Sequence, residues 1–302
     1  LKNISIARNI QIEDLNLYAD DLTVYNTETA LEFNMIDGGI YYDEFLEILK
    51  TKANIDADED EKDLFISLNK YNEAKVEGVE RNRAKEKVAV IFAEGEIQNG
   101  GGKEGTIGGD DLSKTIREAR LDDDIKAVVL RVNSPGGSGL ASEIIWREVV
   151  LTKEVKPVVV SMGNLAASGG YYISCPADYI FAQPNTITGS IGVFGMLPNL
   201  ETLMSEKIGI TIDGVKTNKH SDIGSIMRPM TDDERNFLQE QVNNFYEVFV
   251  SRVDDGRDNL TYEEIDKVGE GRVWTGVNAL EIGLVDGIGG INDAVLKAVE
   301  LA

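Results

Sequence analysis

The sequence predicts an α/β fold in which a mainly parallel sheet is flanked by helices, and three observations carry that reading. From Lys87 onward, short continuous apolar runs alternate with segments of helical periodicity: Val88–Phe92, Ala127–Val132, Val158–Val160 and Tyr179–Ala182 are the strand runs. Runs that are apolar throughout belong to strands buried on both faces, which a parallel sheet covered by helices provides. Glycine-rich loops follow these runs, where a strand hands the chain to a helix. Strand–helix–strand units of this kind cross over right-handedly and gather functional groups at the carboxyl ends of the strands.

Each element follows from its own residues. Gly95–Gly109 reads as a long glycine-rich loop and Asp110–Leu121 as a helix with two aspartates favourable at its start. A helix through Ile144, Ile145, Val149 and Val150 separates the second and third strand runs. Ile210–Val215 reads as a further strand, followed by a polar loop through Ser221. Thr231-Asp232-Asp233-Glu234 is a capping box opening a long helix over 231–254, with Leu238, Val242, Phe245, Phe249 and Val253 on one stripe. Core packing is the preferred reading of that stripe, and a subunit interface stays open beside it.

Composition excludes several function classes. With 53 acidic against 30 basic residues, net charge −23, the bulk of the molecule is a poor partner for nucleic acid or an anionic membrane surface. One cysteine, Cys175, rules out an intrachain disulfide and a thiolate metal cluster, and one histidine, His220, rules out a multi-histidine metal site. No metal or cofactor is expected. No apolar run is long enough to span a bilayer.

The two ends of the chain resemble each other. Ala30-Leu31-Glu32 matches Ala279-Leu280-Glu281, and Asp37-Gly38 matches Asp286-Gly287, both at an offset of 249, while Glu13-Asp14-Leu15 lies opposite Glu263-Glu264-Ile265 after a one-residue slip. An internal repeat accounts for this. Three regions are therefore expected: 1–52 as the tail of a preceding repeat, led by a short strand Leu22–Tyr25; 53–84 as an acidic, polar linker; and 85–302 as the main domain. The linker carries Asp56, Asp58, Glu59, Asp60, Glu61 and Asp63 but no glycine at the turn a calcium loop needs. On this reading about 200 residues of a first copy lie upstream of Leu1, and so does any targeting segment.

The candidate chemistry sits on two loops. Ser168, in Ala166-Ala167-Ser168-Gly169-Gly170, stands where a strand gives way to a helix, so free backbone N–H groups lie beside its hydroxyl. Taken alone it is also an ordinary helix-capping serine. Asn133-Ser134-Pro135-Gly136-Gly137 follows the neighbouring strand, and its glycines leave an N–H open to a ligand. One N–H from Gly136 and one from Gly169 would form a two-donor oxyanion hole about Ser168 Oγ, which suits acyl transfer and above all hydrolysis of a peptide or ester bond. A crotonase-like acyl-CoA enzyme would use the same two donors, and a non-catalytic assembly repeat neither.

These motifs, with Thr188-Gly189-Ser190-Ile191-Gly192-Val193 third in order, resemble the bacterial signal peptide peptidase A (protease IV) family, in its long two-repeat form. The resemblance covers 85–302 well and 11–50 weakly. It implies a Clp protease/crotonase-like fold and a serine endopeptidase of Ser/Lys dyad type that degrades cleaved signal peptides and other extended apolar peptides. It further implies Ser168 as nucleophile, Gly136 and Gly169 as oxyanion donors, and Ser190 as the hydroxyl orienting the base. Homo-oligomerisation, as a tetramer, and an extracytoplasmic, periplasmic location anchored through a segment outside this chain are implied too. The chain departs from single-domain members at the base. Where their motif reads His-Lys-Asp-Ile, this one reads His220-Ser221-Asp222-Ile223, and Ser221 supplies no amine. The lysine is expected in the missing N-terminal repeat, with Lys219 as the rival candidate and His220 as a triad base behind it. Ile191, Val193 and Phe194 are expected to line substrate pockets.

Overall fold

Residues 1–21, 23–24, 27–40, 42–54, 86–216 and 220–302 are described by the computed structural model. The chain divides into two units, Leu1–Arg81 and Asn82–Ala302. The acidic linker lies almost wholly outside the described residues, as do Leu22, Tyr25 and Lys219; Thr23 and Val24, which are described, are not in a strand.

In the second unit the strands are β1 (Lys87–Glu94), β4 (Ile125–Ser134), β5 (Val158–Ala167), β6 (Tyr179–Ala182) and β9 (Gly287–Ile288), hydrogen-bonded side by side in that order and all parallel. β7 (Ile187–Gly189) runs parallel to the end of β5, and β8 (Val273–Thr275) closes the edge antiparallel to β7. Inside the loop expected over 95–109, β2 (Glu96–Gln98) and β3 (Thr106–Gly108) form a small parallel pair of their own.

The apolar strands are explained by cover on both faces. In β4, Val128, Leu130 and Val132 join one core with helices α5 (Gly109–Leu121), α6 (Gly139–Lys153) and α8 (Asp232–Gly256), while Ala127 and Val129 pack against Ala294 and Ala298 of α11 (Ile291–Leu301) on the other face. A strand so enclosed has no solvent side and so no polar alternation. Between β5 and β6 lies α7 (Gly169–Tyr172), and between α8 and β9 lie α9 (Tyr262–Val268) and α10 (Gly276–Glu281). Thr231 and Glu234 make the expected reciprocal cap of α8. Ile210–Val215 is not a strand: its backbone is irregular and pairs with no other strand. Ile210, Ile212 and Val215 are all solvent-exposed, so no burial enforces pairing there.

The first unit consists of α1 (Lys2–Arg8), α2 (Ile12–Asp20), α3 (Thr27–Glu32) and α4 (Tyr42–Ala53). Its α3 and the start of α4 stand 249 residues before α10 and α11. The turn leaving α3 repeats the turn leaving α10 bond for bond: Met35 N–H to Ala30 O matches Leu284 N–H to Ala279 O, each 2.8 Å, and Asn34 N–H to Leu31 O matches Gly283 N–H to Leu280 O. Asn34 and Gly283 both hold a left-handed φ, 58° and 81°. Arg8 grips both carboxylate oxygens of Asp37 as Arg257 grips those of Asp286, again 249 residues on.

Candidate active site

β4 and β5 are neighbours, so the loops at their carboxyl ends meet. The turn after β4 needs glycine twice. Gly136 has φ 95°, and a Cβ there would lie 2.6 Å from Gly169 N and 2.8 Å from Ser168 Cβ; Gly137 has φ 149°, and its Cβ would strike Ile97 O. Clamping explains the second contact: Ile97 N–H donates to Gly136 O and Ser138 N–H to Ile97 O, both 2.8 Å, which ties the turn to β2.

Ser168 occupies the junction of β5 and α7 with φ 53° and ψ −120°. A residue with a Cβ holds such a conformation only when its surroundings over-determine it, at a cost of about 1–3 kcal/mol. Two bonds do so here: Ser168 N–H donates to Gly189 O at 2.9 Å and Tyr172 N–H to Ser168 O at 2.9 Å. The strained strand-to-helix turn lifts Oγ out of the sheet into a cleft of about 990 Å³. Ser190, also left-handed with φ 49°, borders the same cleft, its N–H bonded to Arg272 O. The structure thus gathers all four expected residues, Ser168, Gly136, Gly169 and Ser190, at one place.

The donors differ in availability. Gly136 N–H is directed at the buried Ser134 Oγ, 3.1 Å away. Gly169 opens α7, where a first-turn N–H has no helical acceptor. Among the described residues neither Gly169 N–H nor Gly137 N–H has a hydrogen-bond acceptor.

Among the described residues Ser168 Oγ and Ser190 Oγ make no hydrogen bond, and the cleft lining contains neither lysine nor histidine. Its titratable groups are Glu96, Glu270 and Tyr246. The Tyr246 phenol is pushed up to about 12, first by burial and then by its bond to Asp266 Oδ1 at 2.7 Å, so it stays protonated at neutral pH. His220 is occupied elsewhere, with Nδ1 3.3 Å from Glu234 Oε1 in a cluster where Arg228 grips Asp222 and Glu234. None of His220, Ser221 and Asp222 borders the cleft.

A model of peptidase family S49 matches residues 151–302. The chain belongs to that family. Within S49 terms the match begins in α6 and takes in Ser168, Ser190 and the whole C-terminal end. "Protease 4" of Salmonella typhi is 49% identical over 216 residues, 71% of this chain and 34% of that protein. "Serine protease SPPA, chloroplastic" of Arabidopsis thaliana is 32% identical over 307 residues, 100% of this chain and 45% of that one. This chain therefore spans between a third and a half of the length of these relatives. A ClpP1 mutant from Listeria monocytogenes superposes with a TM-score of 0.45 at 18% identity, over 68% of this chain and 94% of that one.

Sequence reasoning missed a side pocket of about 540 Å³ that opens next to Ser168 and Gly169, bordered by Leu140, Glu143, Tyr172, Phe194, Phe245 and Phe249. Val193 and Phe194 border both clefts as expected, but Ile191 does not: it is fully buried in the core. Residues 191 and 193 would share a face in a strand, and the backbone after β7 is not one. Tyr172 and Phe249 come from elements far apart in sequence, with rings 4.7 Å apart, so no local motif announced them.

Proposed function

We propose that this chain carries the nucleophile of a serine endopeptidase of Ser/Lys type, acting on cleaved signal peptides and other extended apolar peptides. The observation that carries the proposal is the strained Ser168 turn, which sets a hydroxyl beside unpaired glycine N–H groups in an open cleft. Ser168 Oγ attacks the scissile carbonyl and the resulting oxyanion is held by Gly169 N–H and a second N–H of the Pro135–Gly137 turn. With Gly136 N–H turned to Ser134 Oγ, that second donor is Gly137 unless substrate draws Gly136 away. Each donor is worth about 3 kcal/mol in the transition state. Ser190 orients the base.

The base itself is proposed to be a lysine from a first repeat of the full-length protein, of which 1–52 forms the tail and 53–84 the linker to the peptidase domain 85–302. The matched geometry of the two turns supports this reading, and so does a cleft lining that holds no lysine or histidine among the described residues. An assembly of several copies, packed through long helices such as α8, and an envelope location with the catalytic part extracytoplasmic belong to the same proposal. The same proposal puts the anchor in a segment outside this chain; among the described residues no helix is long and apolar enough to cross a membrane.

The test is covalent labelling with a small fluorophosphonate. The full-length protein should label at Ser168 and lose labelling in Ser168→Ala. The present chain alone should react more slowly by a factor of about 10²–10⁴, the share a general base supplies. Equal reactivity of the two, abolished by Lys219→Ala, would move the base into this chain.

A further inference from the structure

We propose that Glu143 and Arg252 decide which substrate side chain enters the pocket beside Ser168, by keeping its polar end electrically neutral. The inference rests on the peptidase reading above and adds a specificity determinant to it. A pocket that touches both the nucleophile and Gly169 receives the side chain of the residue whose carbonyl is attacked, because that carbonyl must lie within reach of both. Its walls are apolar and aromatic, from Leu140, Tyr172, Phe194, Phe245 and Phe249, and Glu143 is the one charged residue among the described residues that border it.

Glu143 stands in a wall. It also borders an outer pocket with Arg117, Trp146, Arg147 and Arg252, so the one residue lines both pockets. Three donors approach it, one from the pocket-wall residue Tyr172 and two from Arg252. The Tyr172 hydroxyl donates to Oε2, Arg252 Nη2 donates to Oε1 at 2.6 Å, and Arg252 Nε approaches Oε2 at 3.4 Å. Arg252 does not border the substrate pocket; its guanidinium is stacked over the Trp146 ring, 3.9 Å from the centroid. Burial, with the bond to Glu143 second, raises the Tyr172 phenol and keeps it a donor.

A carboxylate accepts about four hydrogen bonds, so one site on Glu143 remains for a ligand. With Arg252 in place that site carries no net charge to offset the desolvation of an entering ammonium. The pocket therefore takes a large uncharged side chain, aromatic or aliphatic, and tolerates a neutral hydroxyl tip. Without Arg252 the same carboxylate becomes an unpaired anion at the end of an apolar tube, which is the arrangement that selects a cationic side chain.

The experiment uses the full-length protein and peptidyl diphenyl phosphonates that differ only in the side chain next to the phosphorus: phenylalanine-like, leucine-like and lysine-like. Each inactivation rate is divided by that of a fluorophosphonate lacking a side chain in the same variant. Wild-type protein should prefer the leucine-like over the lysine-like probe by about tenfold or more. Arg252→Met, which keeps bulk over Trp146, should raise the lysine-to-leucine ratio by about tenfold, and Arg252→Lys should leave it near wild type. Adding Glu143→Gln to Arg252→Met should abolish the gain. Should Arg252→Met melt far below wild type, Arg252→Gln serves as the second neutral variant. A ratio unmoved by either neutral variant, or a gain that survives Glu143→Gln, would overturn this inference while leaving the peptidase reading intact. Failure of the side-chain-free probe to label wild-type Ser168 would overturn both.

Discussion

The turn after α3 and the turn after α10 are the same local structure in two settings. Backbone hydrogen bonds, the left-handed residue and the arginine–aspartate pair all recur 249 residues apart. Their surroundings do not. Arg257 is 4% exposed and Asp286 27%, whereas Arg8 and Asp37 are 26% and 88% exposed. Asp286 also accepts the N–H of Ile180 in β6, and Gly287 and Ile288 pair with that strand as β9; Gly38 and Gly39 pair with none among the described residues. Local sequence thus suffices to form the turn, and the sheet beneath it is what converts the turn into a load on stability.

Paired substitutions at the two turns measure what the sheet adds. The largest difference is expected at the ion pairs. Asp286→Ala leaves Arg257 buried without its partner and should cost about 3–5 kcal/mol of unfolding free energy, while Asp37→Ala, at the solvated copy, should cost far less. Urea denaturation of both variants decides it, and equal costs would mean that Arg8 and Asp37 are as enclosed in solution as their counterparts. Next come the apolar residues after the turns. Leu284 is fully buried, so Leu284→Ala should cost about 2–5 kcal/mol; Met35, half-buried at the matching position, should cost under about 1 kcal/mol on truncation. The smallest effect is in acid. The hydrogen bond from Arg8 holds the Asp37 carboxyl below its ordinary value. Its contribution is therefore complete above that ordinary value and is lost as pH falls through the lowered one. A carboxyl-carbon NMR titration should show a depressed midpoint that returns toward normal in Arg8→Gln and in high salt.

The same logic explains how much of the site was legible. Ser168, Gly136, Gly169 and Ser190 were readable because each is forced by backbone geometry at a strand end, and such geometry leaves glycine and small residues in the sequence. The bond from Gly136 N–H to Ser134 Oγ is a matter of which way one peptide faces, which no spacing encodes. Ile210–Val215 reads as a strand from its own residues, which report what a strand would bury and not whether a neighbour exists to bury it.

Short-range signals account for the parallel sheet, the Ser168 turn and the repeated turn at the two ends, because apolar runs, glycines at special dihedrals and capping residues act within a few residues of themselves. Tertiary structure alone decided the rest. Glu143 meets Tyr172 and Arg252 across three helices, Phe245 and Phe249 come to face Ser168 from a helix more than seventy residues away, and one arginine–aspartate pair is enclosed while its twin is not. Contacts of that kind depend on how elements pack, and packing partners distant in the chain leave no periodic trace along it.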